Sequence, residues 1–337
     1  MSRALFRKTT GALATASLVA LLAGCGGGSG GDDAPEGGDQ GGIEGKRIVL
    51  LAGSNTNPWA GYFNEVFTAA VEEAGGEIDE QLTLDSAEQV QLLNQAISSR
   101  PDMIAIEILD TSAVVASLKK AAQMDVPVVV FDGPPDPAVL DDVMTVSSND
   151  EQLGEIAAQN LVEGMQAAGM DSGKFVVLSG MLSMILTNNR LDGFHAYMED
   201  YPQYEELEIV DTGWDPEKAT QQATQLFAKY GDELNAVYGM ADYLALPAIQ
   251  AAEQAGRTPN KDVVVVGGNC FKAGIDAIKA GTYYATGTQD PGTLAERTAE
   301  YLEQYFSGEE PDQHTTVDWD RVTQDNVDEF AEQCSHA

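Results

Sequence analysis

From Lys46 onward, short apolar runs alternate with stretches in which apolar positions recur every three or four residues. The runs fall at 48–52, 103–109, 126–131, 143–147, 175–179, 236–240 and 263–267, with shorter ones near 208–212 and 283–288. They are rich in Val and Ile and nearly free of polar residues, the pattern of strands buried on both faces in a parallel sheet covered by helices. The intervening stretches at 61–74, 86–99, 112–123, 150–168, 188–201, 216–229, 241–255, 271–280 and 293–307 carry a helical period. Repeated strand-helix alternation predicts an α/β fold with doubly wound sheets. The alternation completes once by 143–147 and restarts after Asn149, so two Rossmann-like lobes are expected in place of one very wide sheet.

The first 45 residues break this pattern. Residues 1–24 hold Arg3, Arg7 and Lys8, no acidic side chain, and an uncharged run from Thr9 to Gly24 dominated by Ala, Leu and Val. A charged start followed by so short a run of small residues reads as a secretory signal and not as a membrane span. Its ending, Leu21-Leu22-Ala23-Gly24-Cys25, resembles a bacterial lipoprotein signal, in which cleavage before the cysteine accompanies lipidation of its thiol. The alternative is an ordinary signal peptide with an incidental cysteine. Residues 25–45 are Gly-rich with scattered Asp and Glu, so they read as a flexible tether between a lipidated Cys25 and the lobes. More than one acyl chain would hold the protein stably at the outer face of a bacterial membrane, whether periplasmic or cell-surface.

Charge narrows the function classes. The 337 residues include 54 acidic and 18 basic side chains, and setting residues 1–24 aside leaves 15 basic against 54 acidic, a formal charge of −39. Such a polyanion is repelled by nucleic-acid phosphates, so no nucleic-acid partner is expected, and contact with the membrane is expected only through the anchor. With 43% apolar residues the chain can still bury a large core, so the acidity belongs to a solvated surface. His195, His314 and His336 lie in unrelated contexts, with no His-Glu-x-x-His motif and no Gly-x-Ser-x-Gly elbow after a strand. No Cys/His cluster or Asp-x-Asp-x-Asp-Gly loop is present either, so neither catalysis nor a metal or cofactor is expected. A helix-turn-helix, which a transcriptional regulator would need, is missing ahead of the first lobe. Outside the cytoplasm Cys270 and Cys334 could form a disulfide tying a final helix to a strand-end loop, or stand as two separate thiols.

In open parallel sheets ligands sit beyond the carboxyl ends of the strands, so polar residues just after each strand are the candidates. Asn55, Asn57 and Trp59 follow 48–52, and Asp132 follows 126–131. Arg190 lies past 175–179, Trp214 past 208–212, Asp242 past 236–240, Asn269 past 263–267 and Gln289 at the end of 283–288. Asn, Asp, Arg and Gln offer planar donors and acceptors to neighbouring hydroxyls, and ring faces cover the C–H face of a sugar. Each residue also has a plainer reading: Asp132 or Asp242 as a helix N-cap, Asn57-Pro58 as a turn, Arg190 as a salt bridge between elements.

The order and spacing of several segments resemble the type I periplasmic sugar-binding proteins, the ribose-binding group that supplies ABC importers. The segments are Asn57-Pro58-Trp59, Asp132 after its strand, Ser147-Ser148-Asn149-Asp150, Asn188-Asn189-Arg190-Leu191-Asp192-Gly193-Phe194, Ala241-Asp242, Val264-Val265-Val266-Gly267-Gly268-Asn269 and Val322-Thr323-Gln324-Asp325-Asn326-Val327. The resemblance implies a three-strand hinge near 149–150, 289–290 and 315–318, with one lobe from 46–149 plus 290–316 and the other from 150–289 plus 317–337. It places Asn57, Trp59 and Asp132, with Asn55 nearby, on the first lobe. Arg190, Trp214, Asp242, Asn269 and Gln289 face them from the second lobe and hinge. It further implies a monomer that closes on a sugar or polyol and hands it to an ABC permease. Three departures bear on the ligand: Ala241-Asp242 replaces an Asn-Asp pair, Asp132-Gly133 replaces Asp-Arg, and Asn269 stands where the family has Asp. The pocket is therefore expected to lose a cation and a carboxylate. Sugar, cyclic polyol and nucleoside stay open as ligands, as does presentation to a membrane sensor instead of an importer.

Overall fold

The structure, a computed structural model, describes residues 41–336; Cys25 and the expected signal segment lie outside the described residues. The chain first builds β1 (Arg47–Ala52), α1 (Pro58–Glu73), β2 (Glu77–Leu82), α2 (Ser86–Ser99), β3 (Met103–Glu107), α3 (Val115–Gln123), β4 (Val128–Asp132) and β5 (Met144–Ser148). It then crosses into α4 (Asp150–Ala167), β6 (Gly173–Ser179), α5 (Ile185–Met198), β7 (Tyr204–Asp211), α6 (Pro216–Tyr230) and β8 (Leu234–Gly239). This second half continues through α7 (Asp242–Gln254), β9 (Val264–Val266), α8 (Lys272–Lys279) and β10 (Ala285–Gly287). The chain returns through α9 (Pro291–Phe306) and β11 (His314–Val317), then ends its regular structure in β12 (Arg321–Thr323).

Two six-stranded sheets result, ordered β11-β5-β4-β3-β1-β2 and β12-β10-β9-β8-β6-β7. The first is parallel throughout, and in the second only the β10–β12 pair is antiparallel. Strands β3 and β4 are buried along their whole length, as unbroken apolar runs require. In the first core Phe63 stacks on Phe131 with centroids 4.2 Å apart, and in the second Phe194 stacks on Tyr238 at 4.9 Å.

Three details depart from the sequence pattern. Strand β2, Glu-Ile-Asp-Glu-Gln-Leu, is a polar edge strand with no apolar run to reveal it; its place comes from parallel pairing with β1. Val317 still pairs with Ser148 in the first sheet, so the third crossing falls at 318–320, slightly later than 315–318. Ile43 is 1% exposed, and its N–H donates to Glu303 Oε2 at 2.9 Å, so the end of the expected tether belongs to the first lobe's core. Ile43 is the one large apolar residue in a Gly-rich segment, and burial favours docking it.

Cys270 and Cys334 are disulfide-bonded with Cα atoms 5.2 Å apart, joining the loop after β9 to a segment of turns where a final helix was expected. Helices α4 and α5 cross closely at two glycines. A Cβ on Gly154 would lie 2.0 Å from the Arg190 carbonyl oxygen, and one on Gly193 would lie 2.0 Å from that of Glu151. This crossing sets Asp150, at the start of α4, against Arg190.

Candidate ligand-binding site

The first lobe builds its wall from the carboxyl ends of β1, β3 and β4. Asn57 caps α1, accepting from Ala60 N–H at 3.1 Å, and Pro58 fits the first helical position because its missing N–H is one the helix start leaves unused. The same Asn57 amide reaches the second lobe, donating through Nδ2 to Tyr243 Oη at 3.1 Å and to the Trp214 carbonyl at 3.4 Å. Trp59 Nε1 donates to the Gln289 carbonyl at 3.3 Å. Glu107 ends β3 and is 7% exposed; its Oε2 accepts from Gly53 N–H at 2.9 Å. Burial raises its carboxyl above the ordinary range, against the lowering effects of that N–H and of Arg190. Asp132 ends β4 in the left-handed region at φ +67° and accepts from Gln289 Nε2 at 2.7 Å. Its carboxyl is pushed up well above the usual range by burial and then by the Asp150 charge, with Arg190 opposing.

The second lobe answers with a cation, amides and rings. Arg190 is 2% exposed; its Nε donates to Asp150 Oδ1 at 2.8 Å and its Nη1 to the Met240 carbonyl at 3.2 Å. Burial raises Asp150 to about 6 despite the ion pair with Arg190. The guanidinium carbon lies 5.3 Å from the Trp214 ring centroid, within cation–π range. Trp214 takes φ +60°, and its ring packs over Gly180, where a Cβ would come within 1.9 Å of it. Asn269 takes φ +83°, donates to the Gln289 side-chain oxygen, and leaves its own Oδ1 without a partner. Non-glycine residues in the left-handed region cost energy and persist where surrounding structure holds them, so three of them on one cavity mark a built site.

Asn57, Trp59, Asp132, Arg190, Trp214, Asn269 and Gln289 line one cavity of about 20 Å³ between the lobes. That is room for little more than a water molecule, so the walls are closed on each other. A cleft of about 1000 Å³ lies at its mouth, sharing Asn57, Leu84, Met181 and Trp214 with the cavity and adding Asp211, Asp215, Glu217 and Lys218.

Two expected residues do not line this cavity. Asn55 is exposed and accepts from Asn64 Nδ2 at 2.8 Å in the loop after β1, away from the wall. Asp242 is fully buried behind it, accepting from Tyr283 Oη at 2.8 Å, Thr286 Oγ1 at 2.6 Å and Phe271 N–H at 2.8 Å. Its carboxyl is raised to about 7 by burial, against those three hydrogen bonds. It ties the start of α7 to β10 and to the loop before α8, and the next residue, Tyr243, takes the cavity position.

Glu107 is the residue that strand-end reasoning missed. It sits inside the apolar run 103–109, and as the only charged residue there it was the available signal. Its carboxylate means that the wall does not lose the acid that the departure at Asn269 implied. Arg190 satisfies both of its readings at once, as an inter-helix ion pair and as part of the cavity wall.

A family model described as a periplasmic binding protein domain matches residues 48–310. The D-apiose import binding protein of Actinobacillus succinogenes is 26% identical over 223 residues, 66% of this chain and 69% of that protein. The ribose import binding protein of Bacillus subtilis is 25% identical over 224 residues, with coverages of 66% and 69%. A solved solute-binding protein of Mycobacterium smegmatis with bound glycerol has a TM-score of 0.78 at 22% identity, covering 87% of this chain and 99% of that one. One of Bacillus halodurans with bound myo-inositol has a TM-score of 0.77 at 21% identity, covering 88% and 100%. These structural likenesses show the shared fold. Because the matched stretch runs from the second residue of β1 to just past α9, it takes in both lobes, and the chain belongs to the periplasmic binding protein family.

Proposed function

We propose that the protein is an extracytoplasmic solute-binding protein that captures a sugar or polyol between its lobes and delivers it to an ABC importer. The observation that carries this reading is the cavity built jointly by strand ends of both lobes and bridged across them, Asn57 to Tyr243 at 3.1 Å. The wall combines ring faces with convergent polar groups, the combination that recognises a polyhydroxylated ligand. The names of the apiose and ribose relatives, and the glycerol and myo-inositol in the two solved structures, support the same class.

The cavity is too small to admit such a ligand closed, so entry requires the lobes to part. The three crossings at 149–150, 288–290 and 318–320 are the segments available to bend. A ligand touching both walls gains contacts only in the closed form and so shifts the population toward it. The proposal includes export through residues 1–24, lipidation at Cys25, a monomer in solution and no catalytic step.

The test is a thermal-shift screen of sugars, polyols and nucleosides, with calorimetric titration of any compound that responds. A sugar or polyol that raises the melting temperature and binds with one-to-one stoichiometry is expected; at a hundredfold excess over Kd the stabilisation amounts to about 2.7 kcal/mol. A response confined to nucleosides, or turnover of a bound sugar, would overturn the reading.

A further inference from the structure

Resting on that reading, we propose a narrower ligand class: a sugar or polyol carrying a protonated amine, held through its ammonium group by Glu107 and Asp132. Glu107 and Asp132 end adjacent parallel strands, β3 and β4, so two carboxyl groups enter the same wall side by side. Arg190 is the only Lys or Arg among the described residues that line the cavity, and Asp150, itself fully buried, pairs with it at 2.8 Å. With Glu107 and Asp132, three buried carboxyl groups share this one guanidinium.

Hydrogen bonding points the same way. Glu107 uses Oε2 for Gly53 N–H, and Asp132 uses Oδ1 for Gln289 Nε2. Among the described residues no donor reaches Glu107 Oε1 or Asp132 Oδ2, and Asn269 Oδ1, on a side chain 2% exposed, has no partner at all. On the donor side, Asn57 Nδ2, Trp59 Nε1 and Gln289 Nε2 are already engaged, and Arg190 uses Nε and Nη1, so that Nη2 is the guanidinium nitrogen that makes no hydrogen bond among the described residues. The wall therefore offers three free acceptors, Glu107 Oε1, Asp132 Oδ2 and Asn269 Oδ1, beside one unengaged guanidinium nitrogen. An ammonium group supplies three donors and no acceptor, and its charge favours the ionised form of carboxyl groups that burial otherwise drives toward the neutral one. Rings of Trp59, Trp214 and Tyr243 line the same cavity, and an aromatic wall tolerates a cation where an aliphatic one would not. At the mouth Asp211, Asp215 and Glu217 outnumber Lys218, so the field at the entrance favours a cation.

Calorimetric titration at neutral pH of matched pairs tests this: glucose with glucosamine, galactose with galactosamine, and myo-inositol with its 1-amino-1-deoxy counterpart. N-acetylglucosamine serves as the neutral control for bulk. For the scaffold that binds, the amine is expected to bind about tenfold or more tighter than its neutral partner, a difference of about 1.4 kcal/mol. Glu107→Gln is expected to weaken the amine about tenfold more than the neutral compound, as loss of a charged partner should. Asp132→Asn serves the same purpose if the first variant does not fold. Neutral compounds binding as tightly as their amines would overturn this inference and leave the proposed function standing. No binding by either series, with nucleosides binding instead, would overturn both.

Discussion

The two lobes arrange their strands in matching order and yet divide the chemistry of the cavity between them. The first lobe presents carboxyl groups, Glu107 and Asp132, from the last residues of two regular strands. The second presents its cation from inside a helix, with the counter-ion on the helix it crosses, and adds Trp214 and Asn269 from left-handed backbone. Topology thus decides where a functional group can stand, at the strand ends, whereas its sign depends on one or two residues there. The second wall is also the more elaborate construction: Arg190 needs the close crossing at Gly154 and Gly193, and Trp214 needs the space above Gly180. Damage to support residues should therefore fall harder on the second lobe.

The largest expected contrast sets Arg190→Ala against Glu107→Gln. Removing Arg190 leaves Asp150 buried without its partner and should cost about 3–5 kcal/mol in denaturant unfolding, along with ligand binding. Glutamine at 107 keeps the acceptor for Gly53 N–H and sheds a buried charge, so its stability should stay within about 1 kcal/mol of the parent. Equal losses would erase the distinction between the walls.

A smaller effect is expected from Gly180→Ala. The added methyl collides with the Trp214 ring, so the ring must move off the cavity. Overpacking of this kind costs about 1–3 kcal/mol, and a ligand that relies on the ring should lose affinity on calorimetric titration by about tenfold or more. Unchanged affinity for a bound sugar would show that Trp214 is only packing.

The last contrast concerns pH. Asp150 and Asp242 in the second lobe are raised to about 6 and about 7 by burial, and burial raises Glu107 and Asp132 in the first lobe as well. The folded state therefore holds these protons more tightly than the unfolded chain, and stability should decline as pH rises from about 4 to about 7, then level off. Half-buried carboxyl groups lowered by hydrogen bonds, Asp110 by Ser112 and Glu208 by Lys229, have the opposite sign, but their contribution changes only below this window, as pH falls through their lowered values. Urea midpoints across this range measure it, and Asp242→Asn should flatten the slope.

Legibility in the sequence followed the strength of local signals. Strands β3, β4 and β9 are apolar runs and could be read directly, and Asp85 caps α2 where the helical period begins. Strand β2 could not be read, because a polar edge strand owes its place to its neighbour. Glu107 was hidden by the run around it. Asn55 and Asp242 stand at strand ends like the lining residues, but one turns into its own loop and the other into the sheet behind the wall. Position along the chain does not reveal which way a side chain points.

By itself the sequence determined the strand-helix alternation, the acidic surface and the set of polar residues available beyond the strands, because period, composition and turn chemistry act between near neighbours. Only the tertiary structure decided which of them meet. Arg190 finds Asp150 across 40 residues because two glycines let α4 and α5 approach, and Gln289 reaches Asp132 across 157 because the chain returns through the hinge. Such pairings depend on the packing of elements remote in sequence, and no local pattern encodes them.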